Sequence, residues 1–258
     1  MGDVSYRPLI EDMTWSYSRL SSFESCPYKW FQSYILDEEE SPMFYASYGS
    51  FIHSLLEKYY SGKMTADELP TAFLLGFSAE VRGERPPQET VRKYIALGTE
   101  YFRDFRPLPF TIRSVEEELH FDLDGSPFVA FLDLVGEKDG RLAVIDHKSR
   151  DLKPRSTRKK PTLKDQELDS MLRQLYLYAH GLKQVYGEFP SLLCFNCFKN
   201  GQFIEEPFSK TVYDETLDWA KAKIEEISSE EDFRPDMDYF KCKNLCGFHD
   251  RCCYFQGR

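Results

Sequence analysis

Val144-Ile145-Asp146-His147-Lys148-Ser149 closes an apolar run that begins at Leu142, and the reading of this stretch decides the fold. In a strand, side chains two apart share a face. Asp146 and Lys148 are therefore expected to point the same way, with Ile145 entering the opposite layer. A carboxylate beside an ammonium at the end of an apolar strand is costly unless the two are paired or bind something. A divalent cation with a water next to the lysine resolves that cost.

One run earlier, Val129-Ala130-Phe131-Leu132-Asp133 ends in another acid. Residues 112–123, 128–135 and 142–148 are three apolar-rich runs separated by Asp124-Gly125 and Lys138-Asp139-Gly140, the pattern of an antiparallel meander with tight turns. Carboxylates from adjacent strands form a hard-oxygen site suited to Mg²⁺ or Mn²⁺, which leave positions for water and a phosphate oxygen. The ion polarises a phosphoryl oxygen and generates hydroxide, while Lys148 orients the water or offsets developing charge. The spacing alone fits equally well two strand-end turn acids with a solvated lysine beside them.

Helical spacing surrounds the meander. Residues 16–36 carry Leu20, Phe23, Trp30, Phe31 and Ile35 as anchors and are interrupted at Cys26-Pro27. Residues 46–60 have a helical period through Phe51, Ile52, Leu55, Leu56 and Tyr59 and carry His53; further helix runs to about Phe105, broken at Pro86-Pro87. Residues 168–186 and 212–227 are predicted helices, and 191–199 with 202–208 a hairpin about Asn200-Gly201. The order predicts an α/β fold with a mixed sheet flanked by helices. We read residues 1–258 as one domain, with a helical part at 16–106, a core at 110–210 and a helix with a cysteine tail at 211–258.

The chain has 258 residues, 41% hydrophobic and 16% aromatic, enough for a packed core. No run approaches the ~20 apolar residues of a membrane span, and residues 1–11 lack a signal-peptide core, so a cytoplasmic protein is expected. The net charge of −10 argues against bulk electrostatic coating of nucleic acid. Locally the sign reverses. Between Lys148 and Lys164 eight basic residues (Lys148, Arg150, Lys153, Arg155, Arg158, Lys159, Lys160, Lys164) face the single acid Asp151. Beyond the strand, the stretch to Thr162 reads as a mobile loop, either placed to touch phosphates without reading bases or simply solvated.

Four of the seven cysteines (Cys242, Cys246, Cys252, Cys253) fall in the last 17 residues, a density that favours metal ligation over disulfides. Soft thiolates select an iron-sulfur centre or zinc, the latter with Cys or His249 ligands, so such a site is separate from the carboxylates. Cys194 and Cys197 are three apart on a predicted strand and face opposite sides, which suits buried thiols rather than a chelate.

Asp133, then Asp146-His147-Lys148, then Gln174-Leu175-Tyr176-Leu177-Tyr178, with Gln174 and Tyr178 at i and i+4, resembles the PD-(D/E)XK nuclease superfamily in its RecB-like branch. Gly49 and His53 match that branch's glycine and helix histidine, and Ser16-Tyr17-Ser18 with Cys26-Pro27-Tyr28-Lys29-Trp30-Phe31 match its usual start. Ala130 departs from the family's glycine three residues before the first aspartate. The resemblance implies a restriction-endonuclease-like core in which His53, Asp133, Asp146 and the His147 carbonyl hold Mg²⁺ or Mn²⁺. It also implies that Lys148 positions the water and that Gln174 and Tyr178 hold the active site or the DNA strand. Glu116 matches a common acid of the preceding strand.

The cysteines are similar to those of iron-sulfur members of AddB type and of CRISPR-adaptation nucleases, which implies a [4Fe-4S] cluster on Cys26, Cys242, Cys246 and Cys252. Cys253 is the rival for the fourth place and Zn²⁺ the alternative occupant. The implied activity is a Mg²⁺- or Mn²⁺-dependent deoxyribonuclease of exonuclease type. It would act on single strands or DNA ends in recombination, repair or phage DNA processing, with a helicase or recombination partner. The alternative is a catalytically inactive DNA-binding or scaffold module of the same fold, against which the complete set of polar residues argues. A zinc-containing interaction domain leaves the strand-end acids unexplained.

Overall fold

The computed structural model describes residues 6–255. Residues 1–5 and 256–258, which the single-domain reading includes, lie outside the described residues. The predicted meander forms as β1 (Thr111–Leu123), β2 (Ser126–Lys138) and β3 (Arg141–Lys148). A long helix, α7 (Leu163–Tyr186), then crosses over to β4 (Leu192–Cys197), which lies parallel to β3 and turns back into antiparallel β5 (Gln202–Pro207). The result is a five-stranded mixed sheet in the order β1-β2-β3-β4-β5.

Alternation along β3 sorts its side chains into two layers. Leu142 and Val144 join the core that packs against α7, while Ala143 and Ile145 enter a smaller cluster on the opposite face. Asp146 and Lys148 continue the α7-facing series, as their spacing predicted. α7 is fixed at both ends. Thr162 and Asp165 form a reciprocal capping box at its start, and Gly187 ends it with φ 78°. Gly181 lets it approach β1, because a Cβ there would sit 2.7 Å from the ring of Phe121.

Before the sheet run α1 (Arg7–Glu11), α2 (Tyr17–Ser25), α3 (Pro27–Tyr34), α4 (Phe44–Tyr60), α5 (Leu69–Glu80) and α6 (Gln88–Arg103). The predicted interruption at Cys26-Pro27 is real. Cys26 is extended, as a residue before proline prefers, and its thiol accepts from the Lys29 backbone N–H to open α3. α4, α5 and α6 bury Phe51, Phe73 and Phe102 in a core of their own. α8 (Lys210–Ser229) covers the α7 side, and α9 (Tyr239–Leu245) lies among the late cysteines. Sequence periodicity did not mark the short α1 and α9; α9 buries none of its residues. No helix among the described residues is long and apolar enough to cross a membrane.

The basic loop lacks helix or strand, as expected, but it is anchored rather than loose. Leu152 is buried, Asp165 accepts from both the backbone N–H and the hydroxyl of Ser156 at 2.7 Å, and Arg155 pairs with Asp169 at 2.7 Å. A capping acid and one apolar residue supply what periodicity could not reveal.

Candidate active site

β2 and β3 carry Asp133 and Asp146 into a cleft that α4 and α7 border. Asp133 accepts a hydrogen bond of 2.6 Å from the His147 backbone N–H, and its Oδ2 lies 3.4 Å from Nδ1 of His53 on α4. Burial works against ionisation of Asp133, but His53 and the His147 N–H outweigh it and hold the carboxyl down at about 2. His53 is pushed up in return: burial opposes its charge and the neighbouring Asp133 more than restores it. Gly49 brings α4 close, since a Cβ at that position would stand 3.3 Å from the Ser149 hydroxyl just beyond Lys148.

Asp146 is almost wholly buried, and burial raises its carboxyl to about 6 although Lys148 pulls the other way. The Lys148 ammonium is 2.7 Å from Asp146 Oδ2, an ion pair without hydrogen-bond alignment, so that oxygen has no in-line donor. Lys148 Nζ donates instead to Gln174 Oε1 at 2.7 Å, and Gln174 Nε2 donates to the Tyr178 hydroxyl at 2.6 Å. The predicted i, i+4 pair on α7 thus reaches Lys148 as a relay from Asp146 to Tyr178.

The His147 side chain faces the opposite layer, as β3 alternation requires. Its Nδ1 meets the Asn196 amide at 2.9 Å, its ring stacks on Tyr60, and burial lowers its pKa to about 4. Asn196 in turn donates to the Tyr101 hydroxyl. Sequence reasoning missed this network; its one signal is an asparagine inside the apolar run of β4.

Glu116 lines the same cleft with φ 49°, a left-handed conformation that costs a non-glycine residue about 1–2 kcal/mol. The pairs Val115↔Leu134 and Glu117↔Leu132 bracket it opposite Asp133. Burial, then the Asp133 charge, raise it to about 7. Of the basic loop, only Lys148 and Arg150 line the cleft.

Burial separates the two sheet cysteines from the other five. Cys194 and Cys197 are fully buried in the clusters on opposite faces of the sheet. Cys242 lies within electrostatic reach of Cys26 and Cys252, and Cys246 of Cys26; burial is the first cause raising both thiols. Cys253 is exposed and 3.6 Å from the Tyr28 hydroxyl. Among the described residues no three His, Cys, Asp or Glu side chains converge closely enough to form a ready-made metal cage, at the carboxylates or at the thiols.

Comparison with known proteins gives two results that bear on this site. A family model described as PD-(D/E)XK nuclease superfamily matches residues 14–253. A crystal structure from Eubacterium rectale, of a protein provisionally described as an exonuclease, matches with a TM-score of 0.54. The two chains are 14% identical, and the match covers 100% of this chain and 92% of the other. The crystal structure of a protein designated SSO0001 matches at 15% identity over 93% of this chain and 96% of that one, with a TM-score of 0.28 that carries no argument. No curated protein matches.

Proposed function

The chain belongs to the PD-(D/E)XK nuclease superfamily, and from that premise we propose that it is a divalent-metal-dependent DNA nuclease of RecB-like type whose centre is Asp133, Asp146 and Lys148. The observation that carries the reading is the relay from Asp146 through Lys148 and Gln174 to Tyr178, meeting Asp133 in one cleft. A packed but inactive scaffold has little use for a buried carboxylate oxygen that a single ammonium holds and the Asp133 charge opposes.

That oxygen also supports a metal. Asp133, Asp146, the His147 carbonyl and His53 are the groups that would hold Mg²⁺ or Mn²⁺, with waters filling the remaining positions. When bound, the ion would supply Lewis-acid polarisation of the scissile phosphate and a water of lowered pKa. Lys148, fixed between Asp146 and Gln174, holds that water or offsets charge on the phosphate. Gln174 and Tyr178 keep the ammonium in place.

We propose that digestion proceeds from DNA ends, a reading the description of the Eubacterium rectale protein favours. It would serve recombination, repair or phage DNA processing with a helicase or recombination partner. At the other end of the cleft, Cys26, Cys242, Cys246 and Cys252 would carry a [4Fe-4S] cluster. The electrostatic reach of Cys242 to Cys26 and Cys252, and of Cys246 to Cys26, supports that set, with Cys253 the rival for the fourth place.

The test of the activity is degradation of end-labelled single- and double-stranded DNA with Mg²⁺ or Mn²⁺. Wild type is expected to degrade at least one substrate while Asp146→Asn does not; equal behaviour of the two proteins across all metals and substrates overturns the proposal. Anaerobically purified protein is expected to contain iron and absorb in the visible. Zinc with no iron refutes the cluster.

A further inference from the structure

The cleft that holds Asp133 and Asp146 does not end at them. It has a volume of about 980 Å³ and continues along α2, where Ser18, Ser21, Ser22 and Ser25 line one wall. These serines stand at i, i+3, i+4 and i+7, the spacing that gathers residues on one helix face. Across from them α4 presents Ala46, Gly49, Ser50 and Ser54. The large apolar residues of both helices, Leu20 and Phe23 on one and Phe51, Ile52 and Leu55 on the other, are buried. Hydroxyls and small side chains are left for the cleft.

Charge changes along this path. At its start Tyr17 is within electrostatic reach of Asp146. At its far end lie Lys29, whose charge acts on Cys246, and Lys241, which precedes Cys242. Lys29 pairs with Glu40 at 2.8 Å, whereas Arg150 and Lys241 have no carboxylate partner at ion-pair distance among the described residues. Of the other acids on the cleft, Glu24 is occupied by Trp219, Arg173 and Lys223 and Glu57 by Lys63, while Glu116 stands with the carboxylates, opposite Asp133. Unpaired cations and hydroxyls beside a carboxylate pair, on a chain of net charge −10, fit a phosphate backbone whose bases go unread.

Length favours a single strand. From Ser18 to Ser25 the helix rises about 10 Å, the length of about three nucleotides at ~3.4 Å per nucleotide of one strand, and a cleft at the upper end of small-molecule dimensions suits a short stretch of one strand.

We infer that single-stranded DNA leaves the catalytic carboxylates along the serine face of α2, its backbone held by those hydroxyls and Arg150 and clamped at the far end by Lys29 and Lys241. This rests on the nuclease reading for the identity of the polymer. It ties the path of the strand to the cysteine-bearing end of the molecule, so that the clamp and the thiols share one segment of chain.

The experiment is fluorescence anisotropy of labelled oligothymidylates of increasing length, and of a blunt hairpin duplex. It uses full-length Asp146→Asn protein in EDTA across a range of NaCl concentrations. The single strand is expected to bind more tightly than the duplex. Adding Lys241→Ala should reduce the slope of log affinity against log salt by about 0.7, the loss of one single-strand phosphate contact. Adding Ser18→Glu, at an exposed position, should weaken single-strand binding about tenfold with unchanged circular dichroism. Unchanged slope and affinity in both variants, or a duplex bound as tightly as the single strand, overturns the inference. A wild type that cuts no DNA while these binding effects appear refutes the nuclease reading and leaves the path intact. Normal cutting with no binding effects refutes the path alone.

Discussion

Two polar regions of this molecule are built in opposite ways. In the candidate active-site cleft every key group is fixed by the fold: Asp133 by the His147 N–H, Lys148 by Asp146 and Gln174, Gln174 by Tyr178. At the cysteine-bearing end the helix that carries Cys242 has little core beneath it. α9 buries no residue, and Tyr239 and Phe240 are 58% and 62% exposed. What holds that end includes a few backbone tethers such as Ser41 N–H to Gly247 O at 3.0 Å, and the ion pair of Lys29 with Glu40. The first region is preorganised and lends itself to chemistry; on the proposed reading the second would gain its order from the cluster its thiols hold.

The sharpest way to break this contrast is Asp146→Asn. Cleavage is expected to fall by roughly 10²–10³-fold or more, with the fold intact. Stability at neutral pH should not fall with it. The folded carboxyl sits at about 6 because burial penalises its charge, above the unfolded value of about 3.9. The metal-free native state therefore loses stability as pH rises from about 4 through 6, and the amide removes that loss. Metal-free Asp146→Asn should melt no more than about 4 °C below wild type at pH 7.5. A variant that unfolds would place Asp146 in the scaffold rather than the chemistry.

Cys26→Ser tests the other region and should do the reverse. A ligand present at a thousand times its Kd stabilises by about 4 kcal/mol, so loss of the bound metal should lower Tm by roughly 10 °C. Iron content and visible absorption should vanish together with that stability. Cys194→Ser, in the buried sheet cluster, should leave metal content unaltered. An undiminished Tm in metal-free Cys26→Ser would show that the tethers suffice.

How much of this was legible follows from what periodicity encodes. The meander, the shared face of Asp146 and Lys148, and the separation of Cys194 from Cys197 all derive from period-two alternation, which survives folding unchanged. Gln174 and Tyr178 could be placed on one helix face, but that the face meets Lys148 depends on the crossover of α7 and had to come from resemblance. The anchoring of the basic loop was hidden, because Asp165 reaches back nine residues to Ser156. The serine face of α2 was not read from the sequence, because only the cleft it shares with α4 gives the i, i+3, i+4, i+7 set a role.

Gln174→Ala sharpens the catalytic side with a smaller effect. Lys148 keeps its ion pair with Asp146 but loses the carbonyl that fixes its direction. The expected result is a fall in kcat of about tenfold to a hundredfold, with little change in KM and none in metal content. Gln174→Glu restores an acceptor in the same place and should recover part of the rate. If Gln174→Ala instead raises KM alone, the glutamine contacts DNA rather than the lysine.

The smallest expected effect concerns the loop that leaves β3, which belongs to the preorganised side because hydrogen bonds, not metal, hold it. Asp165 accepts from the backbone and hydroxyl of both Ser156 and Thr162, and these bonds hold its carboxyl well below the usual range. A depressed folded pKa means the stabilisation is complete above the unfolded value of about 3.9 and drains as pH falls below it. Hydrogen-exchange protection of Ser156, corrected for intrinsic rates, should therefore be flat from pH 7 to about 4 and decline further down. Asp165→Ala should abolish it at every pH, speed tryptic cleavage after Arg158 and Lys159 at neutral pH, and leave the iron content untouched. Protection that instead tracks removal of metal from the thiols would mean the loop is ordered from the cysteine end, and the two regions would no longer be independent.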